Sequence, residues 1–234
     1  MELDEAMRTQ NACRFYEPTP VPDEVFYRAI ESARCGPQGG NRQPVRFVIV
    51  RDPAKKKAMA DLYIVPWNAY IEAARAGIQA IAAQSEDHTD KATWIGMTNP
   101  AKSLNDADEF ARNFAEHPTI VVVCADIANT HPTDTGLDRL SIVGGASVYP
   151  IAQNFCLALR NQGVATTLTT LLVEYEPQVK ELLGIPEEYS TACHIVAGYP
   201  AKGFPKKLLR SPVEELAFVD TWGAPLQASQ SALA

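Results

Sequence analysis

"CGPQGGNRQP", Cys35 to Pro44, packs three glycines, two prolines and three amide side chains into one short stretch. It follows a segment with helical periodicity and precedes "VRFVIV", Val45 to Val50, which reads as a buried strand. Glycines let backbone N–H groups come close to a ligand and adopt positive φ angles. Gln38, Asn41 and Gln43 each carry a donor and an acceptor. Such a loop suits a flat ligand whose ring edge alternates N–H and C=O. A stretch rich in Gly, Pro and Asn is also an ordinary turn, so the loop alone leaves both readings open.

Outward from this loop, helices and strands alternate. Pro22-Asp23-Glu24 opens a helix, because proline suits the first turn and acids favour the positive end of the dipole. Val25, Ala29, Ile30 and Ala33 then recur at helical spacing. After Val50, a helix is expected from Ala54 to about Leu62, and a strand at "TIVVVCA", Thr119 to Ala125. A long helix is expected from about Gly145 to Asn161, then a strand over "VATTLTTLL". "EPQVKELLGIPEE" reads as a short helix stopped at Gly184, and "TACHIVAGYP" as a further strand. The order implies helices covering a sheet. No repeat or linker divides the chain, so residues 1–234 read as one domain, with 66–116 as a variable insertion.

The 234 residues are 46% hydrophobic and carry a net charge of -7. That is enough apolar material for a real core. The negative balance argues against nucleic acid or an anionic membrane as partner. No apolar run approaches the roughly 20 residues of a membrane span. The N-terminus "MELDEAMRTQ" lacks the pattern of a secretion signal. The five cysteines are scattered without a C-x-x-C pair, so a reduced, cytoplasmic protein is expected.

Several chemistries leave no trace. There is no G-x-S-x-G elbow, no phosphate loop of the G-x-x-x-x-G-K-[ST] type and no G-x-G-x-x-G after a strand. The four histidines lie far apart without metal-ligand spacing, so no metal site is expected. An enzyme of this composition would delegate its hard chemistry to a cofactor. Arg8, Arg14 and the late cluster Lys206, Lys207 and Arg210 are separated cations that suit a phosphate-bearing ligand, or else pair with surface acids.

Five blocks then resemble, in order, the FMN-dependent nitroreductase family. They are "TQNACRFYEPTPVPDEV", "ARCGPQGGNRQPVRFVIVRDP", "SVYPIAQNFCLALRNQGVATTLTT", "LLGIPEEYSTACHIVAGYP" and "RSPVEEL" with "DTWG". The resemblance implies an α+β, three-layer fold with a mostly antiparallel sheet flanked by helices. It implies an intertwined homodimer with exchanged C-terminal arms and FMN at the interface. The cofactor would be held by Gln10, Asn11, Ala12 and Arg14, by Pro37, Gln38, Gly39, Asn41 and Gln43, by Leu168, Thr169 and Thr170, and by Lys207 and Arg210. NADH or NADPH would pass a hydride to flavin N5. A nitroaromatic, quinone or other conjugated acceptor would then take the electrons at the same pocket, with no side chain strictly required as acid or base. Trp67, Tyr70, Trp94, Phe114 and Tyr149 are the candidate walls for that aromatic acceptor. Two alternatives share the resemblance: a member with a divergent task, which is reductive removal of a substituent, reduction of a specific metabolite or flavin fragmentation, and a flavin-binding protein without catalysis.

Overall fold

The computed structural model describes residues 1–84 and 99–227. At the N-terminus lie helix α1 (Leu3–Thr9) and helix α2 (Asp23–Ala33), followed by strand β1 (Val45–Val50). Helix α3 (Pro53–Gln84) and helix α4 (Pro100–Arg112) form the excursion that separates β1 from strand β2 (Thr119–Asp126). Helix α5 (Tyr149–Asn161), strand β3 (Ala165–Thr169), helix α6 (Glu176–Leu183) and strand β4 (Tyr189–Gly198) follow, and a single helical turn, α7 (Val213–Leu216), lies in the C-terminal arm.

The four strands form one antiparallel sheet in the order β1-β2-β4-β3. Strand β2 is buried almost throughout, because both of its faces are covered. Val121, Val123 and Ala125 pack with Phe26, Ala29, Ile151 and Phe155 of α2 and α5. The alternate residues Ile120, Val122 and Cys124 pack with Met59, Tyr63, Phe110 and Val179 of α3, α4 and α6. A strand covered on both sides reads as a continuous apolar run, as "TIVVVCA" does. The result is the expected α+β arrangement of a helical layer on each side of an antiparallel sheet.

Three expected boundaries move. Helix α3 does not stop near Leu62 but continues through Pro66. An interior proline costs about 3 kcal/mol. Tyr63, Trp67 and Ile71 recur at helical spacing and are all buried against the sheet face. Burial of large apolar side chains is worth about 1.5–3 kcal/mol each, which outweighs the proline. The strand expected over "VATTLTTLL" ends at Thr169, because Leu172 turns fully into the core through a 3-10 turn at Leu171–Tyr175. The long helix starts at Tyr149 rather than Gly145, with Pro150 in its first turn.

All five cysteines are free, and four of them are buried. Among the described residues, no helix is long and apolar enough to cross a membrane, and no group of three or more His, Cys, Asp or Glu could hold a metal ion.

Candidate functional site

The site is built on the outer edge of β3, the side away from β4. Ala12 forms a parallel bridge to Thr166, and the Cys13 amide donates to the Thr166 carbonyl at 3.0 Å. The Thr167 hydroxyl donates in turn to the Cys13 carbonyl. These bonds hold the segment after α1 against β3 and carry Arg14 to the strand's end. The same segment is pinned from its other side. Glu17 N donates to Tyr199 O at 2.8 Å, and Ala201 N donates to Phe15 O at 3.0 Å. The chain leaving β4 therefore delivers Lys202 to Arg210 opposite Arg14.

Two cavities meet here. The first, about 580 Å³, is lined by Asn11, Arg14, Lys202 and Arg210, by Lys102 and Asp106 of α4, and by the rings of Phe15 and Phe204. Lys202 lies over Phe15 with its Nζ 3.1 Å from the ring centre, and Arg160 stacks under Phe204 at 3.6 Å. Lys102 pairs with Asp106 at 2.7 Å, an exposed contact of small worth. Among the described residues, four cations line this cavity against one acid, a charge balance that suits an anion.

The second cavity, about 310 Å³, is lined by Tyr63, Trp67 and Tyr70 of α3, by Leu104 and Ala107 of α4, and by the backbone run Thr167 to Leu171. Arg14 and Ser103 line both cavities, so the two adjoin there. Tyr63 stacks on Phe114 at 4.2 Å, and its hydroxyl lies 3.2 Å from Thr169 Oγ1. Burial raises the Tyr63 phenol above the usual tyrosine range, against the Thr169 hydrogen bond. Burial likewise raises the Cys13 thiol, which stays protonated beside the anion cavity.

The expected residues divide clearly. Asn11, Ala12, Arg14 and Arg210 line the cationic cavity, and Leu168, Thr169, Thr170, Trp67 and Tyr70 line the aromatic one. Gln10 is diverted: its amide donates to Thr166 Oγ1 at 3.2 Å and its carbonyl accepts from Gln153 at 3.4 Å. Lys207 is exposed and lines neither cavity, and Lys202 stands in its place. Phe114 is a correction. It is fully buried between Tyr63, Phe110 and His117, so it is core rather than a wall. Tyr149 also lines neither cavity, because its hydroxyl is turned to the Ala192 carbonyl at 3.3 Å. Trp94 lies outside the described residues.

The loop Pro37–Gln43 also lines neither cavity of its own chain. It enters β1, whereas Thr169 leaves β3, on the opposite edge of the sheet. At a strand spacing of about 4.8 Å, the outer strands lie roughly 14 Å apart. The loop is nevertheless built with care. Gly36 is buried against α5, and a Cβ there would stand 2.7 Å from Ile151 Cδ1. The Gly39 amide donates to Ser147 Oγ at 3.0 Å. Gly40, Asn41 and Gln43 all adopt positive φ, at 61°, 52° and 50°. Two non-glycine residues so close together in the left-handed region are uncommon, and such strain collects at functional sites. Both side chains are exposed.

Tyr63, Ser103 and Lys202 were not singled out from the sequence. Tyr63 precedes Trp67 by one helical turn and was legible as part of an aromatic stripe once α3 was extended past Leu62. Lys202 stood at the head of the basic loop "KGFPKKLLR".

Residues 7–199 match the model of the nitroreductase family. The chain belongs to this family. Among curated relatives, an NADH dehydrogenase of Thermus thermophilus is 24% identical over 92% of this chain and 95% of its own length. Iodotyrosine deiodinase 1 of Rattus norvegicus is 22% identical over 86% of this chain, which spans only 63% of that protein. Among solved structures, the NADPH:FMN oxidoreductase of Vibrio harveyi, complexed with NAD+, superposes with a TM-score of 0.62. It is 16% identical and covered over 81% of its length by 99% of this chain, a likeness that establishes the nitroreductase-like fold.

Proposed function

We propose that the protein is an FMN-dependent oxidoreductase that draws electrons from NADH or NADPH and delivers them to a nitroaromatic, quinone or related conjugated acceptor. The observation that carries the reading is the meeting of a cation-lined cavity and an aromatic cavity at Arg14. A ligand with a phosphate at one end and a flat ring at the other fits that pairing. Arg14, Lys202 and Arg210 would hold the phosphate. Leu168 to Thr170 would run beside the ring, and Trp67 and Tyr70 would face the acceptor. When bound, the flavin would supply hydride acceptance and electron transfer. The chain's own part is to bind, to orient and to keep water from the aromatic wall. The Vibrio harveyi neighbour, whose name includes FMN and whose complex contains NAD+, supports the choice of cofactor and donor.

A homodimer is part of this proposal. The strained amide loop lies too far from the β3 edge to serve its own chain's cavities, so it would contact the flavin of a second copy. Exposed Leu140, Ile142, Leu216 and Trp222 supply apolar surface for such an association, with the arm around α7 exchanged between copies.

The test is direct. The purified protein should take up FMN, turn yellow and bleach with NADH or NADPH without oxygen. A colourless protein that binds no added FMN overturns the proposal. A second reading, reductive removal of a substituent, is supported by the deiodinase relative. It predicts halide release from halogenated phenols and poor turnover of generic nitroaromatics.

A further inference from the structure

Trp67 is only 5% exposed, yet it lines the aromatic cavity. Its indole N–H does not reach into that cavity. It donates across to α4, to Asp108 Oδ1, at 2.9 Å. Asp108 is held in turn by an arginine from each helix. Arg75 of α3 donates Nη2 to Oδ2 at 3.2 Å, and Arg112 of α4 donates Nε to Oδ2 at 3.2 Å. Arg112 Nη2 also lies 3.2 Å from Oδ1. One carboxylate thus ties the indole, both helices and two guanidinium groups together, and it is not itself among the residues lining the cavity.

Burial acts to raise the Asp108 pKa. The hydrogen bonds from Trp67 and Arg112, together with the Arg112 charge and the Arg75 hydrogen bond, overcome it and hold the carboxyl below the usual range. The acceptor for the indole is therefore a full carboxylate. Without it, a buried N–H would be left without a partner, at a cost of about 1–3 kcal/mol, and the ring would be released to seek another position. The ring matters because it is the middle of a ladder. Tyr63 stacks on it at 6.1 Å, and Tyr70, half exposed, lies 5.5 Å away on the other side. Among the described residues that line this cavity there is no carboxylate, and Arg14 is the one cation.

We infer that Asp108 is a positioning residue for substrate selection: by fixing Trp67 it shapes the aromatic cavity for a flat aromatic acceptor that is neutral or anionic. The inference rests on the oxidoreductase reading above for the cavity's role, and its test is separable from that reading. Asp108 touches no substrate and acts only through the indole.

The experiment uses a chain in which Trp94 and Trp222 are replaced by Phe, leaving Trp67 as the sole remaining tryptophan of three. The probe is p-nitrobenzoate, followed by quenching of Trp67 fluorescence, with and without FMN. FMN affinity is measured separately by titration. Asp108→Leu should raise the p-nitrobenzoate Kd roughly tenfold while leaving FMN affinity within about twofold. Asp108→Asn keeps an oxygen that accepts the indole N–H, and should stay within about threefold of the parent. In the chain with all other tryptophans native, Trp67→Phe should raise KM for p-nitrobenzoate as Asp108→Leu does, with kcat little changed. The double variant should be no worse than either single one, because the two changes remove the same contact. Unchanged p-nitrobenzoate affinity in Asp108→Leu, a Asp108→Asn variant as impaired as Leu, or additive losses in the double variant would each overturn the inference. If Asp108→Leu does not fold, Trp67→Phe with parental KM overturns it. Absence of FMN binding in the parent chain would instead refute the cofactor reading, and the quenching titration would still decide the role of Asp108.

Discussion

The guanidinium of Arg14 lies over the ring of Phe110, with its central carbon 5.3 Å from the ring centre. Arg14 is half-buried and lines both cavities, so the aromatic contact holds a cation at their junction. Hydrogen bonds to charged groups are worth about 1.5–3 kcal/mol. Arg14→Ala should therefore weaken FMN binding by roughly ten- to a hundredfold, read by quenching of free FMN fluorescence. Lys202→Ala should weaken it less and reduce its salt dependence. Lys207→Ala should leave it within about twofold, because Lys207 is not among the residues lining either cavity. Equal losses from Lys202 and Lys207 would refute the assignment.

Gly36 is where the amide loop leaves α2 and crosses α5. A methyl group there would stand 2.7 Å from Ile151 Cδ1 and 2.9 Å from Asn154 Nδ2. Gly36→Ala should cost about 1–3 kcal/mol through overpacking. The urea midpoint should fall accordingly. A midpoint equal to that of the parent would mean that α2 and α5 are free to separate at this point.

The Tyr63 hydroxyl and Thr169 Oγ1 join α3 to the end of β3 in a setting where Tyr63 is 1% exposed. Tyr63→Phe removes one hydrogen bond and leaves the ring stack on Phe114 in place. A loss of about 1 kcal/mol is expected. Thermal or urea unfolding would measure it, and no change would mean that water replaces the phenol at Thr169.

Stability should fall on mild acidification. His194 is fully buried, with neither ring nitrogen bonded among the described residues, and burial lowers its pKa to about 3. Burial also lowers His117 to about 4, although its Nε2 pairs with the Phe110 carbonyl at 2.9 Å. Both folded values lie below the ordinary 6.5, so the unfolded chain binds more protons in between. Their contribution is complete above about pH 6.5 and is lost as pH falls from there toward pH 4 and below. The limiting slope is about 1.4 kcal/mol per pH unit for each histidine. His194→Leu should flatten the pH dependence of the urea midpoint over this window. An identical acid dependence in parent and variant would rule the histidine out as the cause.

The apolar runs "VRFVIV" and "TIVVVCA" and the helical periodicities around them determined that helices cover a sheet, and the five ordered blocks pointed to the family and its α+β plan. Both depend on local pattern, which sequence carries directly. Arg14, Thr169 and Arg210 were legible as candidates because the resemblance to the family's ordered blocks points to them, and the fold sets all three along the two cavities. Lys202 and Lys207 could not be ranked in the same way. Both are lysines of one basic loop, and only the pairing of Phe15 with Ala201 decides which of them faces Arg14. Likewise nothing local distinguishes Phe114 from Trp67 as a cavity wall. Phe114 is sealed by Tyr63, Phe110 and His117 from three elements, whereas Trp67 is turned by a carboxylate on another helix. The division has one physical cause. Period and propensity act between residues a few positions apart, but a cavity is made where distant segments pack, and which side chains line it depends on contacts that exist only once the chain has folded.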